Sequence, residues 1–304
     1  MLLKLRSKNS MKKATIKLTS LVLFLGALAG TVNAQTAGRI NVVTSAVPFL
    51  RISPDSRSGG MGDVGIATSA DANSGYWNLA KTPFNTNAGG VSVTYIPWLK
   101  DLGLNDVYLA SMAGYYKLDE NQAISASLRY FNLGKIQFTD ALGNDLQLFN
   151  PREFSFDLGY SRKLSQKLAL GISLRYINSN LAGSNTFGGQ TYKAASAVAG
   201  DLSLYHTSGK EDGSGLSYGV TLTNLGSKIS YTSDANQKDY IPANLGIGLA
   251  YTKVFDETNK LTFALDLNKL MVPTPPSLST TTGGTGTAAD SLALIKYRTQ
   301  GPVS

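Results

Sequence analysis

The stretch Gly60-Met61-Gly62-Asp63-Val64-Gly65 carries the spacing GxGxxG, which in a dinucleotide-binding protein turns a strand into a helix against a pyrophosphate. That chemistry needs a strand entering the glycines and an acid about twenty residues on to hold a ribose. The residues before it, VPFLRISPDSR, include Pro48 and Pro54 and show no clean strand pattern. The stretch FNTNAGG, about twenty residues beyond Gly65, holds no acid. The glycines therefore read as structural, with no cofactor.

Other catalytic chemistry has little to work with. The chain has no cysteine and a single histidine, His206, which excludes the usual zinc sites and any thiol nucleophile. A Ser-His-Asp arrangement would have to use His206, at the predicted end of a strand beside a short turn, and no residue offers itself as nucleophile. The chain is read as not an enzyme. Five charges stand out instead. Arg129, Asp157, Arg175, Asp201 and Asp266 all fall in the polar registers of alternating segments, where pairing would lower their desolvation cost. They read either as cross-bracing or as a polar constriction.

The segments that position these charges repeat with a period of two. In QAISASLRYF, Ile124, Ala126, Leu128 and Tyr130 alternate with Ala123, Ser125, Ser127 and Arg129. EFSFDLGYS and LALGISLRY behave alike, as do later segments, giving strands with one apolar and one polar face. Strands are expected near 88–98, 106–117, 122–132, 152–162, 167–178, 195–206, 215–225, 242–252 and 260–270. A soluble sandwich would turn the apolar faces inward, and a transmembrane barrel would turn them to lipid. The polar register is rich in Gly, Ser, Thr and Asn and carries few charges, and charged residues make up only 16% of the chain, which favours the barrel. Several apolar registers end in tyrosine (Tyr130, Tyr160, Tyr176, Tyr251), where an interfacial aromatic girdle would fall. Long and short links alternate, as expected for external loops and periplasmic turns, with 99–105 a short exception. In lipid every strand edge must be paired, so the sheet must close.

Nine strands is an odd count for a bacterial single-chain barrel. The last stretch, from PTPPSLSTTT to RTQGPVS, reads as a long polar loop lacking a final strand, with 292–299 as a poor tenth strand at best. The expectation is a fragment cut in an external loop. At the other end, residues 1–34 read as a cleavable signal peptide: a basic start at Met11-Lys12-Lys13, the apolar run LTSLVLFLGALAG, and Val32-Asn33-Ala34 before the cut. Six of the 28 basic residues and none of the 20 acidic ones precede residue 35. The remaining 22 basic against 20 acidic residues give a net of +2, so the basic balance does not point to nucleic acid. Without cysteine there is no disulfide framework and no lipoprotein anchor.

The segment 35–87 lacks alternation. Within it, SRSGGMGDVGIA followed by YWNLA resembles the amino-terminal signature of the FadL-like outer-membrane family, and the chain from 39 to 270 is similar to the PorV branch of the type IX secretion system. The family pattern Asn-Pro-Ala is here Asn78-Leu79-Ala80. The resemblance implies an all-β, FadL-like transmembrane barrel of about fourteen strands when complete, about nine of them present (88–304). It also implies an amino-terminal plug (35–87) containing a short helix, with Gly60, Met61, Gly62, Gly65, Trp77 and Asn78 as its structural motif. Gly59, Gly60, Gly62 and Gly65 would let that helix and its turn pack closely inside the barrel. As function, the resemblance implies an outer-membrane protein that binds the carboxy-terminal β-domain of secreted cargo and carries it to the surface-attachment machinery. Its partners would then be cargo, the translocon and attachment complex, and outer-membrane lipid. The external links near 132–151, 178–195, 226–241 and 271–304 would form the contact surface. The alternative is a FadL-like channel taking up long-chain fatty acids or other hydrophobic compounds.

Overall fold

The computed structural model describes residues 45–140, 142–187, 189–209, 213–234, 238–273 and 288–301. The expected signal peptide lies outside them. Nine strands form one antiparallel sheet: β1 (Gly89–Pro97), β2 (Val107–Lys117), β3 (Gln122–Leu133), β6 (Arg152–Lys163), β7 (Leu168–Asn180), β10 (Ala195–Thr207), β11 (Gly215–Gly226), β12 (Asn244–Val254) and β13 (Lys260–Leu270). Each strand pairs with its neighbours in chain order, and no pairing joins β1 to β13 among the described residues. No described helix is long and apolar enough to cross a membrane.

The alternation places polar residues inside and apolar residues outside. On the outer face Val93 is 76% and Leu174 66% exposed, with Leu128, Phe156, Ile172, Leu249 and Phe263 exposed beside them. On the inner face Ser155, Ser161, Ser173, Arg175 and Asp201 are buried. This is the reverse of a soluble sandwich and the arrangement expected of a wall facing lipid. Tyr95, Tyr108 and Tyr130 adjoin across β1, β2 and β3, with ring centroids 5.2 and 6.2 Å apart. Phe154 and Tyr176 meet at 6.1 Å on β6 and β7, level with the same ends of the strands. Tyr160 and Tyr251 lie toward the opposite ends.

The four short links, 118–121, 164–167, 208–214 and 255–259, fall at one end, and the longer ones at the other. Two long links hold hairpins where the sequence read as loop. One joins β4 (Ile136–Thr139) to β5 (Asp145–Phe149), and the other joins β8 (Thr186–Phe187) to β9 (Gln190–Thr191). These strands are too short for a period of two to stand out. The stretch expected to be loop, or a weak tenth strand, contains a helix, Ala288–Thr299. Its run AADSLALIKY is rich in Ala and Leu, strong helix formers, and that preference prevails.

The sheet curls around the segment 45–88. That segment contains two short helices, α1 (Ser56–Gly60) and α2 (Ser74–Trp77), and two 3-10 turns, Pro48–Arg51 and Leu79–Phe84. The helix at Ala288–Thr299 is α3. Asn73 Nδ2 donates to Ser92 Oγ of β1 at 3.2 Å, and the Gly65 amide donates to Asp266 of β13 at 2.7 Å. A flat sheet of nine strands would be nearly 40 Å wide at about 4.8 Å per strand. One short segment reaches both edges only because the sheet is bent around it.

Candidate functional site

The inner face is layered by the strand register. At the long-link end an apolar cluster fills the space. It joins Phe49 and Leu50 to Leu109, Phe131, Ile177 and Ile241, with Trp98 and Tyr231 packed against it. Beside it Ser179 Oγ donates to Glu153 Oε1 at 2.6 Å, and Tyr231 OH donates to Ser179 Oγ at 2.9 Å. Burial pushes the Tyr231 phenol up to about 12.

Below lies the charge layer. Ser127, Asp157 and Arg175 are cross-strand neighbours on β3, β6 and β7. Arg175 Nε donates to Asp157, and its Nη2 donates to Asp201 Oδ2 at 2.9 Å. Its Nη1 donates to Asn224. Arg129 Nη2 sits 3.7 Å from Asp157 Oδ2, and Arg129 Nη1 donates to Leu50 O at 3.1 Å. The Arg129 guanidinium also lies over the Tyr76 ring, 4.9 Å from its centroid. Two arginines and two aspartates thus alternate, so each buried charge faces an opposite one, the condition under which such charges are tolerated. Asn224, at φ 58°, turns its amide N–H to Asp201 Oδ1 at 2.7 Å and its side-chain amide to Pro242 O at 3.0 Å.

Asp266, the fifth charge singled out, stands apart from this network. Its Oδ2 accepts from the backbone amides of Gly65 and Ile66, at 2.7 and 2.9 Å. It grips the amino-terminal segment because β13 is the far edge of the curled sheet. Ile66 then fits a socket made by missing side chains: a Cβ on Gly246 would sit 2.6 Å from Ile66 Cδ1, and one on Gly248 2.6 Å from Ile66 Cβ.

The glycine motif divides by role. Gly65 packs under Trp77, and a Cβ there would lie 2.2 Å from Trp77 Cδ2. Gly62 has φ +81°, which suits the turn after α1. Gly60 ends α1, and space around it is open; Gly59 is nearly as open, since a Cβ added there would come no closer than 3.9 Å to its neighbours. Of the four glycines expected to pack closely, Gly65 alone does so, because α1, which holds Gly59 and Gly60, is largely exposed. Met61 is exposed as well. Trp77 Nε1 donates to Asp55 Oδ2 at 2.6 Å, and Asp55 Oδ1 caps α1 at the Ser58 amide. Asn78 is buried. Its Nδ2 donates to Ile66 O and Leu204 O, both at 3.0 Å, and its Oδ1 accepts from Ala80 N. It caps the following 3-10 turn without help from the proline of the family pattern.

Two residues that the sequence did not mark complete the site. Asp55 ties Trp77 to α1. Lys81, 1% exposed, extends its ammonium to Gly65 O at 2.5 Å and to Thr68 Oγ1 at 3.4 Å. Burial pulls the Lys81 ammonium down to about 8 from an ordinary 10.5. Nothing in a segment without periodicity distinguishes a buried lysine from a solvated one.

A cavity of about 170 Å³ remains between the segment and β11–β13, lined by Arg51, Tyr76, Thr223, Asn224, Asn244 and Asn268 among others. Arg51 Nη1 donates to Asn244 Oδ1 at 2.6 Å, and Asn244 Nδ2 donates to Asn268 Oδ1 at 2.9 Å. Its walls suit water or a polar group. His206, at the turn end of β10, stacks on Tyr218 with centroids 4.6 Å apart.

No curated protein matches the chain. The family model described as Type IX secretion system protein PorV matches residues 34–277.

Proposed function

This chain belongs to the PorV family of type IX secretion system proteins, and we propose that within that system it receives secreted cargo at the outer surface of the outer membrane. Membership makes it a component of the type IX secretion system, in a family of outer-membrane proteins and not of enzymes. In the proposal the outward apolar register meets lipid, the sheet closes into a FadL-like barrel, and segment 45–88 is its plug. The protein binds the carboxy-terminal β-domain of cargo that has crossed the membrane and passes it to the surface-attachment machinery.

The observation that carries this reading is the occupied long-link end of the interior. Apolar side chains occupy the long-link end, paired charges lie beneath them, and the segment 45–88 lies against the inner face of the sheet. A partner as large as a protein domain is then met from outside. The hairpin β4–β5, with its exposed Leu142, Leu146 and Leu148, provides adaptable surface there. The fatty-acid alternative would be favoured by an apolar pocket beside the plug: the cavity at β11–β13 is lined by Arg51 and asparagines as well as Leu50, Ile66 and Trp77, while a larger one, of about 550 Å³, opens between α1 and β1 against Ile52, Tyr95, Ile96 and Trp98. The test is co-purification of the detergent-solubilised protein with cargo carboxy-terminal domains. Stable capture is the expected result, and recovery of fatty acid with no cargo would favour the channel.

A further inference from the structure

The amino-terminal segment has a direction. At its start the Ala46 amide donates to Tyr240 O at 2.9 Å, and Tyr240 belongs to the 227–243 link between β11 and β12. Val47, Phe49 and Leu50 join the apolar cluster with Val107, Phe131 and Ile177, which lie at the strand ends leading into the long links. At the other end of the segment Phe84 meets Tyr205 edge-on at 5.4 Å, and Lys163 Nζ lies 4.9 Å from the Phe84 ring centroid. Lys117 donates from Nζ to Asn85 O at 3.0 Å and from its amide to Ala88 O at 2.7 Å. Lys117 and Lys163 close β2 and β6 at the short turns. The segment therefore runs along the inner face from the long-link end to the turn end.

Its start is firmly held. Val47 adopts φ 49° and ψ 51°, a left-handed conformation that a β-branched residue keeps only where its surroundings enforce it. The apolar cluster around Val47 supplies those surroundings, and Tyr240 O ties down the neighbouring Ala46 amide. Tyr240 is buried, its hydroxyl lies 2.7 Å from Tyr297 O and 2.9 Å from Gln300 O with one proton shared between them, and its ring meets Tyr297 at 5.5 Å. One residue thus joins the start of the segment, the 227–243 link and α3 into a single cap.

We propose that the segment is threaded from the outside inward, so that Ser45 stands at the outer surface of the cell envelope, and that Tyr240 organises this end. The inference rests on the outer-membrane reading with long links outward, and the experiment separates the two. Because the chain has no cysteine, single replacements report cleanly. Ser45→Cys tests the segment, Asn144→Cys in the β4–β5 turn marks the long-link side, and Asn121→Cys marks the short-turn side. Each variant is checked for native heat resistance, then treated in whole cells with a charged, membrane-impermeant thiol reagent before and after permeabilising the outer membrane. Ser45→Cys and Asn144→Cys should react in intact cells, and Asn121→Cys only after permeabilisation. If Ser45→Cys instead follows Asn121→Cys while Asn144→Cys reacts in intact cells, the threading is wrong and the membrane reading stands. If Asn144→Cys itself needs permeabilisation, the orientation is wrong. A Ser45→Cys that stays silent under both conditions also overturns the threading, since Ser45 is partly exposed. Adding Tyr240→Phe, which keeps the ring and removes the hydroxyl, should raise the Ser45→Cys reaction rate several-fold. An unchanged rate would remove Tyr240 from the role.

Discussion

Raising the pH should stabilise this protein through Lys81. Its ammonium is buried with one carbonyl and one hydroxyl as partners, and burial lowers its affinity for the proton. Below pH 8 the folded and unfolded chains both hold that proton. Between about 8 and 10.5 the folded chain has released it and the unfolded chain has not. The unfolded state then binds more protons, so stability rises with pH across that window. The gap of about 2.5 between the two values, at 1.36 kcal/mol per pH unit, is worth roughly 3 kcal/mol. For a chain of 304 residues that corresponds to a midpoint change of about 5 °C. The assay is heat-modifiability of the detergent-solubilised protein from pH 7.5 to 10.5, wild type against Lys81→Met. Other ionisations are common to both, so the difference isolates the lysine. The wild-type midpoint should climb relative to the variant as the pH rises, whatever their offset at neutral pH. Parallel curves would refute the claim that a buried ammonium is held there.

Gly65→Ala should displace the Trp77 ring, because the added methyl would lie 2.2 Å from it, at about 1–3 kcal/mol; unchanged indole emission would contradict this. Arg175→Ala leaves Asp157 and Asp201 without their shared cation, costing about 3–5 kcal/mol, so the heat-resistance midpoint should fall. Conductance in planar bilayers should stay closed in that variant, since the apolar cluster above is untouched; open channels would favour a gate. Leu174→Arg, midway along β7 on the outer face, should weaken insertion into bilayers by about 2–4 kcal/mol, while Leu142→Arg at the hairpin tip should not.

The nine main strands were legible because their alternation is long and unbroken. Each lies within about two residues of its expected position. Alternation marks two faces without saying which is outside, and the scarcity of charge in the polar register decided that. That Arg129, Asp157, Arg175 and Asp201 share the polar register was legible as well, but which of them pair was not, since that depends on the strand register. Asp266 shared that face, but its partners are backbone amides, which leave no mark in a sequence. Asp55 and Lys81 escaped for a similar reason. Their partners lie 22 and 16 residues away and meet them only where the segment folds back at Gly65 and Trp77. The helix at Ala288–Thr299 was obscured because a few apolar letters support more than one period.

The bond from Gly65 to Asp266 spans 201 positions, and that from Arg51 to Asn244 spans 193. Translation delivers the glycine long before the aspartate exists. That part of the folded molecule must therefore wait, unlatched, until β13 is laid beside its neighbours. Contacts of such long reach form slowly, so a helper able to shelter the waiting stretch would speed the final closing step more than any earlier one.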